Sequence, residues 1–300
     1  MIKITLPNGA VKEFEAASVT GRQVAEAIGP RLAKDALGAV VNGELRDLSA
    51  PITADAAVAI VTPANRSGEA DANALFLMRH SAAHVMAEAI TRLFPQTKLA
   101  YVPPVEQGFY YDMELEHKLT AEDFVKIEAE MAKIVAEDRK FTRYEMTPAE
   151  ALPKLEREGN PYKVDNAQRA MEGVADKSAA VISFYATGEP GKNWEDLCRG
   201  PHVPSTGRIG AYKVMSVAGA YWHGDETKQQ LQRVYGVAFA TAKELETHIN
   251  ALEEAKKRDH RVIGKQMSLF TISPLVGSGL ILWMPKGAIM RQELEAFMRE

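Results

Sequence analysis

Two histidines, His80 and His84, stand four residues apart in a stretch with helical patterning. Side chains at this spacing lie on one face of a helix, where they could bind a metal or exchange protons with a substrate. A pair of surface or core-edge histidines explains the pattern about as well. Ser81 stands where zinc proteases have Glu after the first histidine. An apolar stripe is predicted on the face nearly opposite the histidines. It consists of Met78, Ala82, Val85 and Ala89.

A second candidate site contains Cys198 and His202, which are also four residues apart. Gly200 and Pro201 lie between them and predict a loop, which should fix the side-chain directions without burying them. A lone cysteine is more often a small buried apolar residue, and Asp196 nearby could simply cap a turn. With the two histidines, this stretch supplies residues for a tetrahedral metal site or for a water-positioning acid–base site. The spacing does not choose between these two chemistries.

Two further stretches are weaker signals. Gly108 to Asp112 reads Gly-Phe-Tyr-Tyr-Asp, and such aromatic runs are more often core or pocket wall than catalytic groups. Lys163 follows Asn160-Pro161-Tyr162 and is by default a solvated charge. Neither stretch alone predicts a site.

The composition limits the class of protein. The chain has 300 residues, of which 46% are hydrophobic and 25% charged, as in an ordinary soluble globular protein with about two domains. Its net charge of −4 does not suit a general nucleic-acid binder, so contacts with nucleic acid would need local basic patches. A single cysteine fits a reducing cytoplasm, and no apolar run is long enough to predict a membrane span.

The elements that must position these residues suggest an α+β chain of four parts. Residues 1–62 alternate apolar and polar positions around a short helix capped by Thr20, which predicts a β-grasp, ubiquitin-like unit without catalytic residues. Residues 63–240 begin with a breaker-rich linker and a long helix from about Asn73 to Phe94. Residues 241–265 predict a single charged linker helix. Residues 266–300 start a new domain and stop in mid-helix, which suggests a piece of a longer protein.

In this order, these motifs resemble the N-terminal half of bacterial threonyl-tRNA synthetases. The resemblance covers the whole chain. It rests on His80-x-x-x-His84, Gly108-Phe-Tyr-Tyr-Asp112, Tyr162-Lys-Val164, Asp196-Leu-Cys-Arg-Gly-Pro-His202, Ala218-Gly-Ala-Tyr-Trp222, Gly224-Asp225, Arg258-Asp-His-Arg261, Gly264-Lys-Gln266 and Trp283-Met-Pro-Lys-Gly287. It implies a TGS domain (1–62), an editing domain of the threonyl/alanyl type (63–240), a linker helix (241–265) and the start of a class II catalytic domain with motif 1 (266–300).

The resemblance also implies a function for the candidate residues. The family charges tRNA(Thr) with threonine, and its editing domain hydrolyses mischarged Ser-tRNA(Thr). The residues implied for the editing chemistry are His80, His84, Lys163, Asp196, Cys198 and His202, with Tyr111 and Gly108 binding the substrate. We expect His80 and Lys163 to lie nearest the reacting ester, whereas Cys198 and His202 shape the pocket and position water.

Cofactors and partners follow from the same resemblance. ATP, Mg²⁺ and Zn²⁺ are expected to serve the full-length ligase at sites outside this chain. The full-length ligase is expected to be a cytoplasmic homodimer without membrane contact. The resemblance implies that editing needs no metal, although alanyl relatives bind zinc with a similar set of residues, so Zn²⁺ at the His/Cys set stays an alternative. A Cys and three His would fill all four positions around zinc, which favours editing without a metal.

Two alternatives remain open: a freestanding zinc-dependent deacylase of the alanyl type and a non-catalytic tRNA-binding module. Val102 replaces a glycine common in the family, which leaves the shape of that pocket wall open.

Overall fold

The computed structural model describes residues 1–64, 68–101, 104–105, 108–172, 180–277 and 279–299. Val102 lies outside these residues. The chain forms two compact units, Met1–Leu245 and Glu246–Glu300. No helix among the described residues is long and apolar enough to cross a membrane.

The N-terminal part of the first unit is a mixed five-stranded sheet with two short helices, as the alternating pattern predicts. The sheet order is β2-β1-β7-β4-β5, and β1 pairs with β7 in parallel. The elements are β1 (Ile2–Thr5), β2 (Val11–Phe14), β3 (Val19–Thr20), α1 (Gly21–Ile28), α2 (Pro30–Asp35), β4 (Gly38–Val41), β5 (Glu44–Asp47), β6 (Pro51–Ile52) and β7 (Ala56–Val61). The β-grasp prediction is thus consistent with the observed strand and helix order.

Local sequence signals explain the boundaries in this sheet. Thr20 and Gln23 form a reciprocal capping box that starts α1. Gly29 and Pro30 end α1 as predicted, but Pro30 also occupies the first turn of α2, where its missing N–H costs nothing. The pair Asn42-Gly43 adopts positive φ angles at the β4–β5 hairpin, as expected for an Asn-Gly turn.

The rest of the first unit packs helices against antiparallel sheets. One sheet runs β14-β15-β10-β8, with β9 beside β10, and a smaller one runs β11-β12-β13. The elements are α3 (Ala72–Leu93), β8 (Lys98–Tyr101), β9 (Pro104–Val105), β10 (Gly108–Glu114), α4 (Ala121–Ala136), β11 (Phe141–Met146), α5 (Pro148–Arg157), α6 (Pro161–Ala170), β12 (Ile182–Thr187), β13 (Glu195–Leu197), β14 (Ala211–Tyr221) and β15 (Gln230–Phe239). The next helix, α7 (Ala242–Lys257), includes the boundary between the two units.

Helix α3 is central to this unit and matches the predicted long helix. Asp71 caps it by accepting hydrogen bonds from the N–H groups of Asn73 and Ala74. The expectation of a single apolar stripe opposite the histidines is wrong, because every side chain from Leu77 to Ile90 is buried. A helix enclosed on all sides has no solvent face, so helical phase could not separate site residues from core residues.

The β-grasp sheet packs directly on α3. Leu37 and Val61 belong to the same apolar core as Leu77 and its neighbours on the helix. Gly38 in β4 approaches so closely that a Cβ at this position would lie 2.7 Å from Cδ1 of Leu77. Leu77 stands less than one turn before His80 on α3, so the small domain supports the helix near its histidines.

The predicted linker helix is two helices rather than one. After α7 ends at Lys257, α8 (His260–Gln266) begins. Asp259 accepts a hydrogen bond from the backbone N–H of Arg261 and so caps a new helix start. The second unit continues with β16 (Phe270–Ile272), β17 (Ile281–Trp283) and α9 (Pro285–Arg299).

Candidate functional site

The structure brings the two histidines of α3 together with Cys198 and His202 of the loop after β13. The ring centroids of His80 and His202 are 4.1 Å apart, and those of His84 and His202 are 4.4 Å apart. The thiol sulfur of Cys198 lies 3.2 Å from Nε2 of His80 and 3.5 Å from Nε2 of His202. We call these four residues the imidazole–thiol cluster.

The loop from Cys198 to His202 is irregular, as predicted, but the side chains of Cys198 and His202 are buried. Cys198 is 9% exposed and His202 only 1%, so the expectation that the loop would leave them accessible is wrong. Gly200 adopts a φ of 74° and precedes a cis peptide bond to Pro201. A Cβ on Gly200 would lie 2.0 Å from Oη of Tyr185, so the loop sits on this tyrosine because the glycine has no side chain.

Burial keeps the imidazole–thiol cluster uncharged. Burial lowers the pKa of His80 to about 4 and holds the pKa values of His84 and His202 well below that of a free histidine. Burial also raises the pKa of the Cys198 thiol to about 12. At neutral pH the cluster therefore contains neutral imidazoles and a protonated thiol, and Cys198 is not a thiolate nucleophile.

Hydrogen bonds fix which ring nitrogen of His80 carries the proton. Nδ1 of His80 lies 3.1 Å from the carbonyl oxygen of Pro201, and a carbonyl only accepts, so Nδ1 donates. Nε2 of the neutral ring then accepts from the thiol of Cys198. On the other side, Nδ1 of His202 lies 3.1 Å from Oγ of Ser81, which accepts from the backbone N–H of Val203.

His84 is the unpaired member of the cluster. Among the residues that the structure describes, neither of its buried ring nitrogens has a hydrogen-bond partner. A buried imidazole of this kind needs a water, a ligand or a metal to satisfy it. The donor atoms of His80, His84, Cys198 and His202 lie within 4.8 Å of one another and could hold a metal ion. The two sulfur–nitrogen distances suit zinc, for which tetrahedral geometry places such atoms roughly 3.5 Å apart.

A charged group adjoins the cluster. Nζ of Lys163 lies 2.6 Å from Oδ1 of Asp196 and donates to Oη of Tyr111 at 2.9 Å. Tyr111 in turn donates to Oδ2 of Asp196. Burial, followed by the negative charge of Asp196, raises the pKa of Tyr111, so its hydroxyl keeps its proton. All three side chains are buried. We call them the ion-paired group.

Different secondary-structure elements supply the members of this group. Lys163 comes from α6, whose start is set by Asn160 as cap and Pro161 in the first turn. Asp196 lies in β13 and Tyr111 in β10. The fold thus places a helix and two strands against the helix and the loop of the imidazole–thiol cluster.

Gly108 differs from the other predicted site residues. A Cβ on Gly108 would lie 2.4 Å from the carbonyl oxygen of Gly236 in the neighbouring strand. The absence of a side chain is therefore needed for the pairing of β10 with β15, and Gly108 is not among the residues that line the cavity.

A cavity of about 1120 Å³ opens onto both groups. Its lining includes His80, Cys198 and Lys163. Four of the predicted site residues are not among the lining residues: His84, His202, Asp196 and Tyr111. The remaining wall contains cationic and aromatic side chains. They include Arg143, Arg169, Arg199, Arg233, Tyr101, Tyr110, Tyr221 and Trp222.

The cavity wall has the chemistry of a nucleic-acid site. Exposed aromatic rings such as Tyr101 and Tyr221 can stack on bases, and guanidinium groups bind phosphates. Three of the lining arginines are ion-paired: Arg143 with Glu145, Arg169 with Asp165 and Arg233 with Asp112. Arg199 is exposed and has no ion-pair partner among the described residues, so it is the lining arginine whose charge could bind a phosphate.

Sequence reasoning missed several residues that touch the site, among them Ser81, Tyr185 and Asp47. Ser81 and Tyr185 contact His202, and Asp47 of the β-grasp sheet accepts the backbone N–H of His202. Ser81 could have been suspected from its place between the two histidines. Asp47 and Tyr185 had no local signal, because their relation to the loop exists only in the folded chain.

Comparisons with known proteins identify two domain families in the chain. The TGS domain family matches residues 2–62, and the threonyl and alanyl tRNA synthetase second additional domain matches residues 182–235. The chain thus carries two domains found in aminoacyl-tRNA synthetases.

Curated relatives narrow this class. A threonine–tRNA ligase of Pelobacter propionicus is 45% identical over 298 residues, which is 99% of this chain and 44% of that protein. Threonine–tRNA ligase 1 of Bacillus subtilis is 45% identical over the same shares, and the enzyme of Clostridioides difficile is 44% identical over 300 residues, 100% of this chain and 44% of its own. The chain belongs to the bacterial threonine–tRNA ligase family and corresponds to its N-terminal region. It spans less than half the length of these relatives.

Proposed function

We propose that this chain carries the editing hydrolase of a threonine–tRNA ligase, which removes serine from mischarged Ser-tRNA(Thr). The observation that carries the proposal is the cavity that opens onto His80, Cys198 and Lys163, with arginine and aromatic side chains in its wall. The longer protein would charge tRNA(Thr) with threonine using ATP and Mg²⁺, with its synthetic zinc site outside this chain. It would act as a cytoplasmic homodimer.

The proposed parts of the chain follow the sequence pattern. Residues 1–62 form the TGS domain, 63–240 the editing domain, 241–265 the linker and 266–300 the start of the class II catalytic domain. Pro285, the first residue of α9, is the proline of motif 1.

The need for editing follows from the difference between serine and threonine. A site that binds threonine excludes the smaller serine only by roughly 10–200-fold, the usual value of one methyl group in a pocket. A second site that admits serine but has no room for the extra methyl group can hydrolyse the wrong product. We propose that the floor of the cavity is this second site.

Lys163 is the proposed stabiliser of the transition state. Attack of water on the ester carbonyl places negative charge on the carbonyl oxygen, and a fixed ammonium group lowers the energy of that oxyanion. Asp196 and Tyr111 hold Nζ of Lys163 in place, so little reorganisation is needed when the charge develops. Because the ion-paired group is buried, the interaction acts in a medium with little competing water.

His80 is the proposed acceptor for the attacking water. A neutral imidazole can accept a hydrogen bond from water, and the acceptor is Nε2 of His80. This lone pair takes the thiol hydrogen bond of Cys198 when no substrate is bound, and the attacking water replaces the thiol there. With a pKa of about 4, the ring is too weak a base to hold a proton at neutral pH. The proton of the water therefore passes to the leaving ribose oxygen in the same step as the ester bond breaks, with His80 orienting the water. Cys198 completes the water-binding wall, with His84 and His202 packed behind it, and Gly108 with Tyr111 supports the substrate pocket.

The test uses the 300-residue chain with tRNA(Thr) transcripts charged with radiolabelled serine or threonine. We expect hydrolysis of Ser-tRNA(Thr) at least about 10-fold faster than that of Thr-tRNA(Thr). The same assay on serylated tRNA(Ser) controls for general esterase activity. Equal rates for serine and threonine, or no hydrolysis at all, would contradict the proposal.

Zinc use is the second candidate, since the four donors of the imidazole–thiol cluster lie close enough to hold a metal. Four protein ligands would leave no coordination position for a water, so we propose that editing proceeds without metal. Hydrolysis should survive dialysis against a chelator, with the metal content followed by mass spectrometry. Loss of activity that zinc restores would instead identify a zinc-dependent deacylase.

A further inference from the structure

The side of the Cys198–His202 loop remote from α3 contacts the β-grasp sheet. Asp47, the last residue of β5, accepts two hydrogen bonds through its carboxylate. Oδ1 accepts from the backbone N–H of His202 at 2.8 Å, and Oδ2 accepts from Oη of Tyr185 at 2.5 Å. Both donors belong to the site region, more than 130 residues away along the chain.

The first of these hydrogen bonds reaches His80 through a single peptide group. The peptide between Pro201 and His202 donates its N–H to Asp47 and accepts from Nδ1 of His80 through its C=O at 3.1 Å. A peptide group is planar, so fixing its N–H also fixes the direction of its carbonyl. Hydrogen bonds on both ends of one peptide strengthen each other. The carboxylate of Asp47 thus orients the acceptor that determines the tautomer of His80.

The second hydrogen bond fixes the base of the same loop. Oη of Tyr185 lies directly beneath Gly200, where even a Cβ would collide with it. The ring of Tyr185 also packs against the ring of His202, with 4.5 Å between centroids. By accepting from this hydroxyl, Asp47 holds the ring that supports the loop. The carboxylate of Asp47 therefore positions the loop at two points, the backbone N–H of His202 and the hydroxyl of Tyr185.

We propose that Asp47 is a positioning residue for ester hydrolysis, so that the TGS domain is a working part of the editing site rather than a spacer or binding module. Asp47 does not touch the substrate. It acts by orienting the Pro201–His202 peptide, and through it His80. This inference rests on the proposed editing function, but the orientation of His80 can be measured independently of activity.

Three substitutions test the role. Asp47→Ala removes both acceptor oxygens. Asp47→Asn keeps an oxygen that can accept from the N–H of His202. Tyr185→Phe removes only the second hydrogen bond. Asp55→Ala is the matched control, because Asp55 also belongs to residues 1–62, directly before β7, and accepts the backbone N–H of Lys3 at 2.8 Å, away from the loop.

We expect Asp47→Ala to lower kcat for hydrolysis of Ser-tRNA(Thr) by about 10–100-fold, as small misplacements of a reacting group do. KM should change little, because Asp47 does not line the cavity. Asp47→Asn should recover most of the rate, and Tyr185→Phe should lose a few-fold. Asp55→Ala should match the parent. A drop in kcat that Asp47→Asn does not rescue would indicate a general packing defect and overturn the positioning role.

A second experiment, which does not depend on catalysis, measures nitrogen chemical shifts of ¹⁵N-labelled histidine in the same chain. In the parent, the two nitrogens of His80 should give the shifts of a ring protonated at Nδ1. In Asp47→Ala the signals of His80 should move toward a mixture of tautomers, and in Tyr185→Phe the amide signal of His202 should shift. Unchanged shifts in both variants would overturn the proposal.

The two proposals fail separately. If the parent chain does not hydrolyse the ester, the editing function is wrong, and the histidine shifts still decide whether Asp47 orients His80. If the parent is active and Asp47→Ala is as fast, the positioning role is wrong. If Asp47→Ala does not fold, Tyr185→Phe decides the matter through its rate and the amide shift of His202.

Discussion

The ion-paired group and the imidazole–thiol cluster are the two halves of the site floor, and they bury polar side chains in opposite ways. The ion-paired group keeps its charges, because Lys163 and Asp196 neutralise each other at 2.6 Å and Tyr111 satisfies both. The imidazole–thiol cluster instead gives up charge, because burial holds His80 neutral and Cys198 protonated. The first half offers a fixed electric field and the second offers hydrogen bonds without charge. Ester hydrolysis needs both, one for the oxyanion and one for the water.

Removal of the charge from the ion-paired group should have the largest effect. Lys163→Met should lower kcat for hydrolysis of Ser-tRNA(Thr) by about 100–1000-fold, the usual loss for an oxyanion-stabilising group. It should also destabilise the fold by about 3–5 kcal/mol, because Asp196 stays buried without its partner. Urea unfolding measures the second effect.

Lys154→Met is the matched control for this comparison. Lys154 pairs with Glu195, the neighbour of Asp196, at 2.7 Å but does not line the cavity. It should keep the parent rate. If both variants lose activity equally, local stability rather than charge at Lys163 explains the loss.

The neutral half is tested by His80→Ala, for which we expect about a 100-fold loss of kcat. In the parent, the rate should show no inflection between pH 7 and about 5, because the pKa of His80 is about 4 and the ring stays neutral in this range. His260→Ala, an exposed histidine outside the first unit, is the control. An inflection near the pKa of a free histidine would contradict the neutral-cluster description.

The same burial makes the stability of the fold depend on pH. Unfolding exposes His80 and returns its pKa to the ordinary value near 6.5, so the unfolded chain binds a proton that the folded chain refuses. The free energy of unfolding should therefore fall as the pH drops from about 6.5 to about 4. His80 alone contributes roughly 3 kcal/mol to this loss. In His80→Ala this part of the pH dependence should be missing.

Cys198→Ala tests whether the thiol of Cys198 positions groups in the site or acts as a covalent nucleophile. Because burial raises the thiol pKa to about 12, the substitution should lower kcat by less than about 10-fold. Loss of a covalent nucleophile would cost about a millionfold. The rate of Cys198→Ala, checked for folding by circular dichroism, decides between these outcomes. A trapped acyl-enzyme in the parent would also contradict the expected role.

The smallest effect is expected outside both halves, where the cavity opens. Arg199→Ala should raise KM for the tRNA a few-fold, leave kcat unchanged and reduce the salt dependence of binding by about one counterion. The exposed Arg22 in α1 provides the control variant. An unchanged salt slope would show that Arg199 makes no phosphate contact.

Several features of the fold followed directly from local sequence. The Asn42-Gly43 hairpin, the Thr20 cap and the long helix α3 were predictable, because each depends on the conformational preference of a few neighbouring residues. The break between α7 and α8 was missed, although Asp259 is a good cap residue. The pattern of charged residues continues from α7 into α8, so it gave no sign that the helix is interrupted between them.

The functional site, like the fold, was only partly predictable from the sequence. The spacing of His80 with His84, and of Cys198 with His202, indicated chemistry without telling which chemistry. The sequence could not show that all four are buried, because α3 is enclosed on every side and its phase carries no information about exposure. It also could not reveal the contact of Asp47 with the loop.

The sequence by itself determined the helix that carries two histidines, the loop that carries a thiol and a third imidazole, and the small N-terminal sheet. Only the tertiary structure decided that these segments meet, that one half of their meeting point is charged and the other neutral, and that Asp47 supports the loop from the N-terminal sheet. The physical reason is that spacing along a chain fixes directions within one element. Protonation and hydrogen-bond partners depend on what other elements exclude water from the same place.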